Sequence, residues 1–274
     1  MRYLSEIKRS IGFIFVLSIT VVMLIGFSAG VVNAKPFKAP IFEPPNFPDP
    51  PNINNPFMTL NPGTAFCYEA ETEDGTEINE VTVTTCDQEI AGVKTIVVRD
   101  AVRLEGNLTE DTYDYYAQDE DGNVWYLGEA TKECGDDSTE GTWNADKPGA
   151  EPGVVKLANP KSGNSYMQEF LEGVAEDLAV VLRLNANVSE NCNKDCLKTK
   201  EWSPLELGAI EHKYYARDIA PDTGGLVLVE ELKGKTVITE LVDVLDINDI
   251  GYCPLDLDDA LETLCNKPTP MNCN

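Results

Sequence analysis

The sequence predicts an all-β fold, an antiparallel β-sandwich or barrel of about ten strands with a short C-terminal helix. Three observations predict this class. Short stretches of the chain alternate polar and apolar residues or are rich in β-branched residues. Turn dipeptides such as Asp74-Gly75 and Asp121-Gly122 separate these stretches. The chain has 274 residues, which is enough for one β domain with accessory segments.

Residues 1–34 have the three-part layout of a secretory signal peptide. A basic start precedes an apolar run over residues 11–27, and small residues lead to Ala34, the expected last residue removed. The alternative is an uncleaved membrane anchor, because the apolar run is close to spanning length. We therefore expect an exported protein that is periplasmic, extracellular or at the cell surface, without membrane contact once it is processed.

Residues 35–58 contain eight prolines, a density that favours extended segments and leaves few donors for a sheet. This composition predicts a semi-rigid, Pro-rich linker. The alternative is an arm that docks a protein partner, because Pro-rich segments are recognised as preformed extended ligands.

The antiparallel β domain is predicted over residues 59–248, where consecutive stretches pair as hairpins. The strongest signal is Asp121-Gly122 between stretches 113–118 and 124–129, because Asp-Gly readily adopts the positive backbone angles of a type I′ turn. The other predicted strands are 64–72, 78–85, 95–104, 108–118, 154–158, 197–202, 209–215, 226–231 and 235–244.

Two segments carry helical signals. In residues 165–184 apolar residues recur at helical spacing, but Gly173 and the cluster Val180-Val181-Leu182 slightly favour two strands. Residues 249–274 form an acidic tail with cysteines, and its apolar face predicts the short helix. A helix from Cys253 to Cys265 would hold these cysteines too far apart for a disulfide.

The composition excludes some functions and predicts the redox state. With 47 Asp and Glu against 21 Lys and Arg, the formal charge of −26 argues against nucleic-acid binding. Eight cysteines in an exported chain predict disulfides. Cys192 and Cys196 predict a local disulfide in preference to half a zinc site, because the sequence offers no second close pair or nearby histidine.

One pair of carboxylates is the candidate site for chemistry. Pairing across a two-residue Asp121-Gly122 loop places Asp114 opposite Glu129 and Tyr116 opposite Leu127. Opposed like charges are unfavourable on a sheet, so the pair is expected to share a proton, to bind a cation or to remain solvated. Carboxylate oxygens suit Ca²⁺, which makes Asp114 and Glu129 the predicted metal ligands.

Further candidates are less specific. Tyr115, Tyr116, Trp125 and Tyr126 either line a cavity near this hairpin or belong to the core. His212 is the single histidine, and strand alternation places it with Tyr214 on the face opposite Lys213. It is expected to be an ordinary hydrogen-bonded residue, because no nucleophile motif accompanies it.

Four segments resemble a group of uncharacterised secreted bacterial proteins. They are Asn61-Pro62-Gly63-Thr64 leading to Tyr68-Glu69, Asp121 to Glu129, Lys198-Thr199-Lys200-Glu201-Trp202 and Glu211-His212-Lys213-Tyr214-Tyr215. The similarity covers residues 59–232 and implies a β-rich exported domain. It implies no activity, ligand or functional residue. The eight cysteines and the tail after residue 248 depart from the group.

The sequence therefore predicts an exported, acidic β domain that is a non-enzymatic binding or surface interaction module for a small ligand or cation. One alternative is a hydrolase that uses the carboxylate pair or His212. Another is a structural assembly protein that uses the Pro-rich arm and the tail.

Overall fold

The protein is described here from a computed structural model, which covers residues 37–189 and 192–247. The all-β class is confirmed, and one 3-10 turn at Pro44–Asn46 precedes the first strand. In this part of the chain no helix is long and apolar enough to span a bilayer. The described strands are β1 (Ile53–Asn55), β2 (Met58–Leu60), β3 (Thr64–Glu71), β4 (Thr76–Ile90), β5 (Val93–Leu104), β6 (Asn107–Gln118), β7 (Val124–Glu133), β8 (Trp143–Asn144), β9 (Glu151–Lys156), β10 (Ser165–Met167), β11 (Glu169–Phe170), β12 (Leu178–Ser189), β13 (Cys192–Trp202), β14 (Glu211–Ala220), β15 (Thr223–Glu231) and β16 (Val237–Asp246).

Most strands belong to one antiparallel sheet. Their order is β10-β12-β13-β14-β15-β16-β3-β4-β5-β6-β7-β9-β11, and β8 pairs with β7. Strand β10, at one end of this order, contacts β9 near the other end. The sheet therefore curls into a nearly closed barrel, in which strand alternation points every second side chain inward.

The seam of the barrel lies between β10 and β11. These strands belong to opposite ends of the sheet order, yet the single residue Gln168 joins them. Gly153 on β9 lies against the backbone of Gln168 and Glu169, and a Cβ atom at Gly153 would overlap those atoms. Glycine is therefore required at this position so that the chain can cross the seam.

The β1–β2 hairpin closes one end of the barrel. It contacts β6 and β15, which are far apart in the sheet order. The Gln118 side-chain oxygen accepts the Asn54 and Asn55 amides at 3.0 and 2.8 Å. Phe57 is buried in the main core, and the Arg217 guanidinium lies 4.1 Å from its ring centroid. The hairpin thus adds both polar and apolar contacts across the barrel.

The segment before the barrel is docked on it. The rings of Phe42 and Phe47 lie 5.4 and 6.2 Å from the Trp125 ring, both edge-on. Strand β1 also falls within residues 35–58. The segment predicted as a linker therefore packs on the domain from Phe42 onward.

The predicted hairpins β3–β4, β5–β6 and β6–β7 are confirmed. The described strands outnumber the ten predicted because β1, β2, β8, β10 and β11 have two or three residues each. Such strands are too short to show a periodic pattern. For residues 165–184 the prediction of strands is confirmed, since β10, β11 and the start of β12 lie there.

The turn between β6 and β7 differs from the prediction. A five-residue loop over 119–123 replaces the two-residue type I′ turn. The Asp119 carboxylate organises it by accepting the Asn123 amide and the Trp125 indole N–H, each at 2.8 Å. A register shift follows between Tyr115 and Tyr116, so Tyr116 faces Tyr126 and not Leu127.

The local disulfide Cys192–Cys196 is confirmed, and the zinc half-site is wrong. Cys67, Cys86 and Cys134 are also disulfide-bonded, so no cysteine is free in the described ranges. The predicted C-terminal helix and the separation of Cys253 from Cys265 lie outside the described residues.

Candidate functional site

A cavity of about 370 Å³ lies between β6 and β7 on one side and β13 and β14 on the other. This volume falls in the range of small-molecule sites, roughly 300–1,000 Å³. Two lysines, Lys213 and Lys233, line it together with ten acidic residues. The acidic residues are Glu110, Glu129, Glu133, Glu140, Glu169, Asp177, Glu201, Glu206, Glu211 and Glu231.

Asp114, Glu129 and Glu169 form what we call the carboxyl cluster. Asp114 on β6 lies directly opposite Glu129 on β7, as the sequence predicts. The Tyr126 hydroxyl lies between them, 2.6 Å from Asp114 Oδ1 and 3.1 Å from Glu129 Oε2. A phenol has one proton to donate, so both contacts are full hydrogen bonds only when one carboxyl carries a proton.

Glu169 on β11 is held by a tryptophan. Its Oε2 atom accepts the indole N–H of Trp143 at 2.8 Å, and the fully buried Trp143 ring packs edge-on against Tyr126 at 5.8 Å. Gly128 makes this possible, because a Cβ there would overlap the backbone of Trp143 and Asn144. Residues of β7, β8 and β11 thus fix the position of one carboxyl oxygen.

The carboxyl cluster has strongly perturbed acidities. Burial raises the pKa of Asp114 to about 7, against the opposing hydrogen bond from Tyr126. Burial, with repulsion from Asp177, raises the pKa of Glu169 to about 8. The pKa of Glu129 is well above its ordinary value because of burial and repulsion from Glu169 and Asp114. These carboxyls are therefore partly protonated near neutral pH.

Glu201, Glu211 and Lys213 form the second group, which we call the ion-paired cluster. The Lys213 Nζ atom lies 3.2 Å from Glu201 Oε2 and 3.0 Å from Glu211 Oε2. Burial alone would raise the pKa of Glu201, but Lys213 and Lys156 outweigh it and lower the pKa to about 2. Burial opposes the charge on Lys213, yet Glu201 and Glu211 raise its pKa well above the ordinary value.

Aromatic rings form part of the cavity lining. The rings of Tyr116 and Tyr126 stack with centroids 4.9 Å apart, and both side chains line the cavity. Of the four aromatic residues singled out in the sequence, these two reach it. Tyr115 and Trp125 belong instead to the hydrophobic core, because they occupy the alternate positions of the same strands.

His212 lies away from the cavity. Its Nδ1 atom is 3.1 Å from Glu230 Oε2, which also accepts the Tyr214 hydroxyl at 2.8 Å. Lys213, one residue along, lines the cavity, and the strand alternation correctly predicts that it lies on the face opposite His212. His212 is therefore a hydrogen-bonded strand residue, and the carboxyl cluster does not include it.

The described residues contain no group of three or more His, Cys, Asp or Glu side chains that could hold a metal ion. The group between Asp114 and Glu129 is the Tyr126 hydroxyl. Metal binding by this pair remains a prediction.

Sequence reasoning missed Gln168, Glu169, Asp177 and Glu201 as cavity residues. Gln168, Glu169 and Asp177 fall in residues 165–184, where the sequence pattern fits a helix and two strands almost equally well. The alternation around Lys213 did indicate that Glu211 and Lys213 share a face. It could not indicate that this face points inward.

No family model matches the chain, and no curated protein matches it. Among solved structures, the chain is similar to a "putative lipoprotein" from Parabacteroides distasonis ATCC 8503, with a TM-score of 0.37 and 12% identity. The match covers 71% of this chain and 100% of that one.

Proposed function

We propose that the protein is an exported, non-enzymatic binding module that holds a small cationic ligand in its acidic cavity. The observation that carries this proposal is the charge imbalance of the lining, ten acidic residues against two lysines. A bound cation would supply the positive charge that the carboxyl cluster lacks. It would also remove the cost of unpaired charges in a poorly solvated space.

Export is supported by the signal-like N-terminus, by the disulfides and by the resemblance to secreted bacterial proteins. Binding of Ca²⁺ by Asp114 and Glu129 is one specific form of the proposal. The cavity itself is the feature common to all its forms.

Thermal unfolding of the exported protein, with its disulfides intact, tests this proposal. Ca²⁺ and organic ammonium salts should raise the Tm by mass action, whereas neutral sugars and organic anions should not. The variant pair Asp114→Asn with Glu129→Gln should remove the rise, because amides keep the shape and lose the charge.

Glu69→Gln with Glu240→Gln is the matched control. These two exposed carboxylates also lie directly opposite each other on neighbouring strands. The control should keep the full rise in Tm. A rise caused only by neutral or anionic ligands, or one that survives the Asp114 and Glu129 changes, would contradict the proposal.

A further inference from the structure

Two polar side chains of the cavity have no protein partner. Gln168 is only 7% exposed and lines the cavity, and its amide makes no hydrogen bond with the described residues. The Tyr116 hydroxyl likewise has no hydrogen-bond partner in the described ranges. Their polar atoms are accessible from the cavity, so they are available to form hydrogen bonds with a polar ligand there.

The ion-paired cluster shows how this cavity holds an ammonium group. The Lys213 amine lies between two carboxylates, 3.2 Å from Glu201 and 3.0 Å from Glu211. It is the end of an aliphatic side chain. On the other side of the cavity, Glu129 and Glu169 repel each other, and no ion pair to either is present in the described part of the chain. The carboxyl cluster therefore has acceptors for a second ammonium group, but no lysine of the described residues occupies that position as Lys213 does in the ion-paired cluster.

The rings beside the carboxyl cluster suit a hydrocarbon chain. Tyr116 and Tyr126 stack next to Glu129, and Val155 continues the apolar part of the lining. Aromatic faces attract cations and pack against methylene groups at the same time.

From these contacts we infer that the cavity takes an aliphatic ammonium ligand. Its protonated amine lies between Glu129 and Glu169, and its hydrocarbon chain packs against Tyr116 and Tyr126. Gln168 and the Tyr116 hydroxyl accept further N–H groups. This inference rests on the proposed function and names the chemical class of its ligand.

A metal ion fits the same cavity less well. Ca²⁺ needs six to eight converging oxygens at about 2.3–2.6 Å, and the described residues form no such group. The volume of about 370 Å³ also far exceeds that of a single ion. A neutral ligand would fill the space but would leave the carboxyl cluster without charge compensation.

Isothermal titration calorimetry of the exported protein with 1,4-diaminobutane tests the inference. Butane-1,4-diol is the neutral ligand of the same shape, and it should bind about 100-fold more weakly, because each charge-assisted hydrogen bond is worth about tenfold or more. Butylamine should fall between them. At pH 7.5 amine binding should release protons, measured in two buffers of different ionisation enthalpy, because the ammonium favours the ionised carboxyls.

Variants separate this site from the general attraction of an acidic protein for amines. Glu169→Gln and Glu129→Gln should each weaken diamine binding by about tenfold, and Gln168→Met should weaken it by a smaller factor. Glu240→Gln removes the same charge from an exposed position and should change nothing.

Equal binding of diol and diamine, or equal weakening by Glu240→Gln and Glu169→Gln, would overturn the inference. If Ca²⁺ binds and depends on Glu129 while the diamine does not bind, the ammonium inference fails and the proposed function stands. If only neutral or anionic ligands bind, both fail.

Discussion

The two clusters of the cavity contain the same kind of side chain in opposite electrostatic states. In the ion-paired cluster, Lys213 and Lys156 hold the pKa of Glu201 at about 2. In the carboxyl cluster, Asp114 and Glu169 have pKa values of about 7 and 8. Burial by itself acts to raise the pKa of all three carboxyls, so burial does not explain the difference between them. The presence of two nearby lysines, Lys213 and Lys156, explains it.

This comparison separates stability from binding. A buried carboxylate with its own lysine completes the folded structure. A buried carboxyl without a cation costs stability, and such residues are typical of functional sites. We therefore expect the ion-paired cluster to support the fold and the carboxyl cluster to bind the ligand.

The largest expected effect comes from removing the internal cation. Lys213→Met should lower the free energy of unfolding by about 4 kcal/mol, because it removes the cation that both Glu201 and Glu211 contact. Urea unfolding at pH 7.5 measures this. Lys233→Met removes an exposed lysine of the same cavity and should cost little. A loss below about 1 kcal/mol for Lys213→Met would show that the ion pairs add little to stability.

The carboxyl cluster should make the free protein less stable as the pH rises. Its pKa values are raised in the folded state, so between about pH 4 and pH 8 the folded state binds protons that the unfolded state has released. We expect the free energy of unfolding to be lower at pH 8 than at pH 5 by at least about 3 kcal/mol, which is the share of Asp114 alone at about 1.4 kcal/mol per pKa unit. The ionised Glu201 carboxylate loses its contribution to stability only as the pH falls toward its pKa of about 2, which is below this range.

Urea unfolding at a series of pH values measures this slope. Asp114→Asn with Glu129→Gln should make it shallower without abolishing it, because the pKa values of Asp100 and Glu110 are also raised to about 8. Glu69→Gln with Glu240→Gln should leave it unchanged. A stability that rises from pH 5 to pH 8 would contradict the raised pKa values.

A smaller effect is expected at the seam that carries Gln168 and Glu169. Gly153→Ala should lower the free energy of unfolding by about 2 kcal/mol, because the added methyl group must displace the adjacent backbone. Thermal unfolding measures the loss. Gly135→Ala has open space around it and should have little effect. If both variants were equally stable, the close contact at the seam would not be required.

The smallest effect is expected for His212, outside both clusters. His212→Asn should change the free energy of unfolding by about 0.5 kcal/mol. Its partner Glu230 is partly exposed and keeps its hydrogen bonds with Tyr214 and Lys198. Ligand binding should be unchanged. A strong loss of binding in this variant would place His212 in the site, against the geometry.

The sequence was sufficient to predict the fold class and the pairing of Asp114 with Glu129. The pairing was predicted correctly partly because two errors in the predicted register cancel. The loop after β6 is longer than the predicted turn, which shifts the pairing by one residue. The irregularity between Tyr115 and Tyr116 shifts it back, so Asp114 still faces Glu129. Neither change was visible in the pattern of residues.

The rest of the cavity could not be predicted for a physical reason. Glu169 and Glu201 come from strands that are distant in sequence, and closure of the barrel brings them to one cavity. Alternation assigns a residue to a face, and only the curvature of the sheet decides which face is inside. The short strands β8 and β11 depend on tertiary contacts, so no local pattern reveals them.

The crossing at Gln168 also has a consequence for self-association. An open sheet exposes a row of unpaired backbone donors and acceptors at each edge, and such rows recruit strands from other molecules. Here the two outermost strands, β10 and β11, have three and two residues and are consecutive in the chain. At the crossing itself, the edge formed by each of these strands is short and lies beside the other. At this crossing the fold therefore offers a neighbouring molecule little template for strand addition.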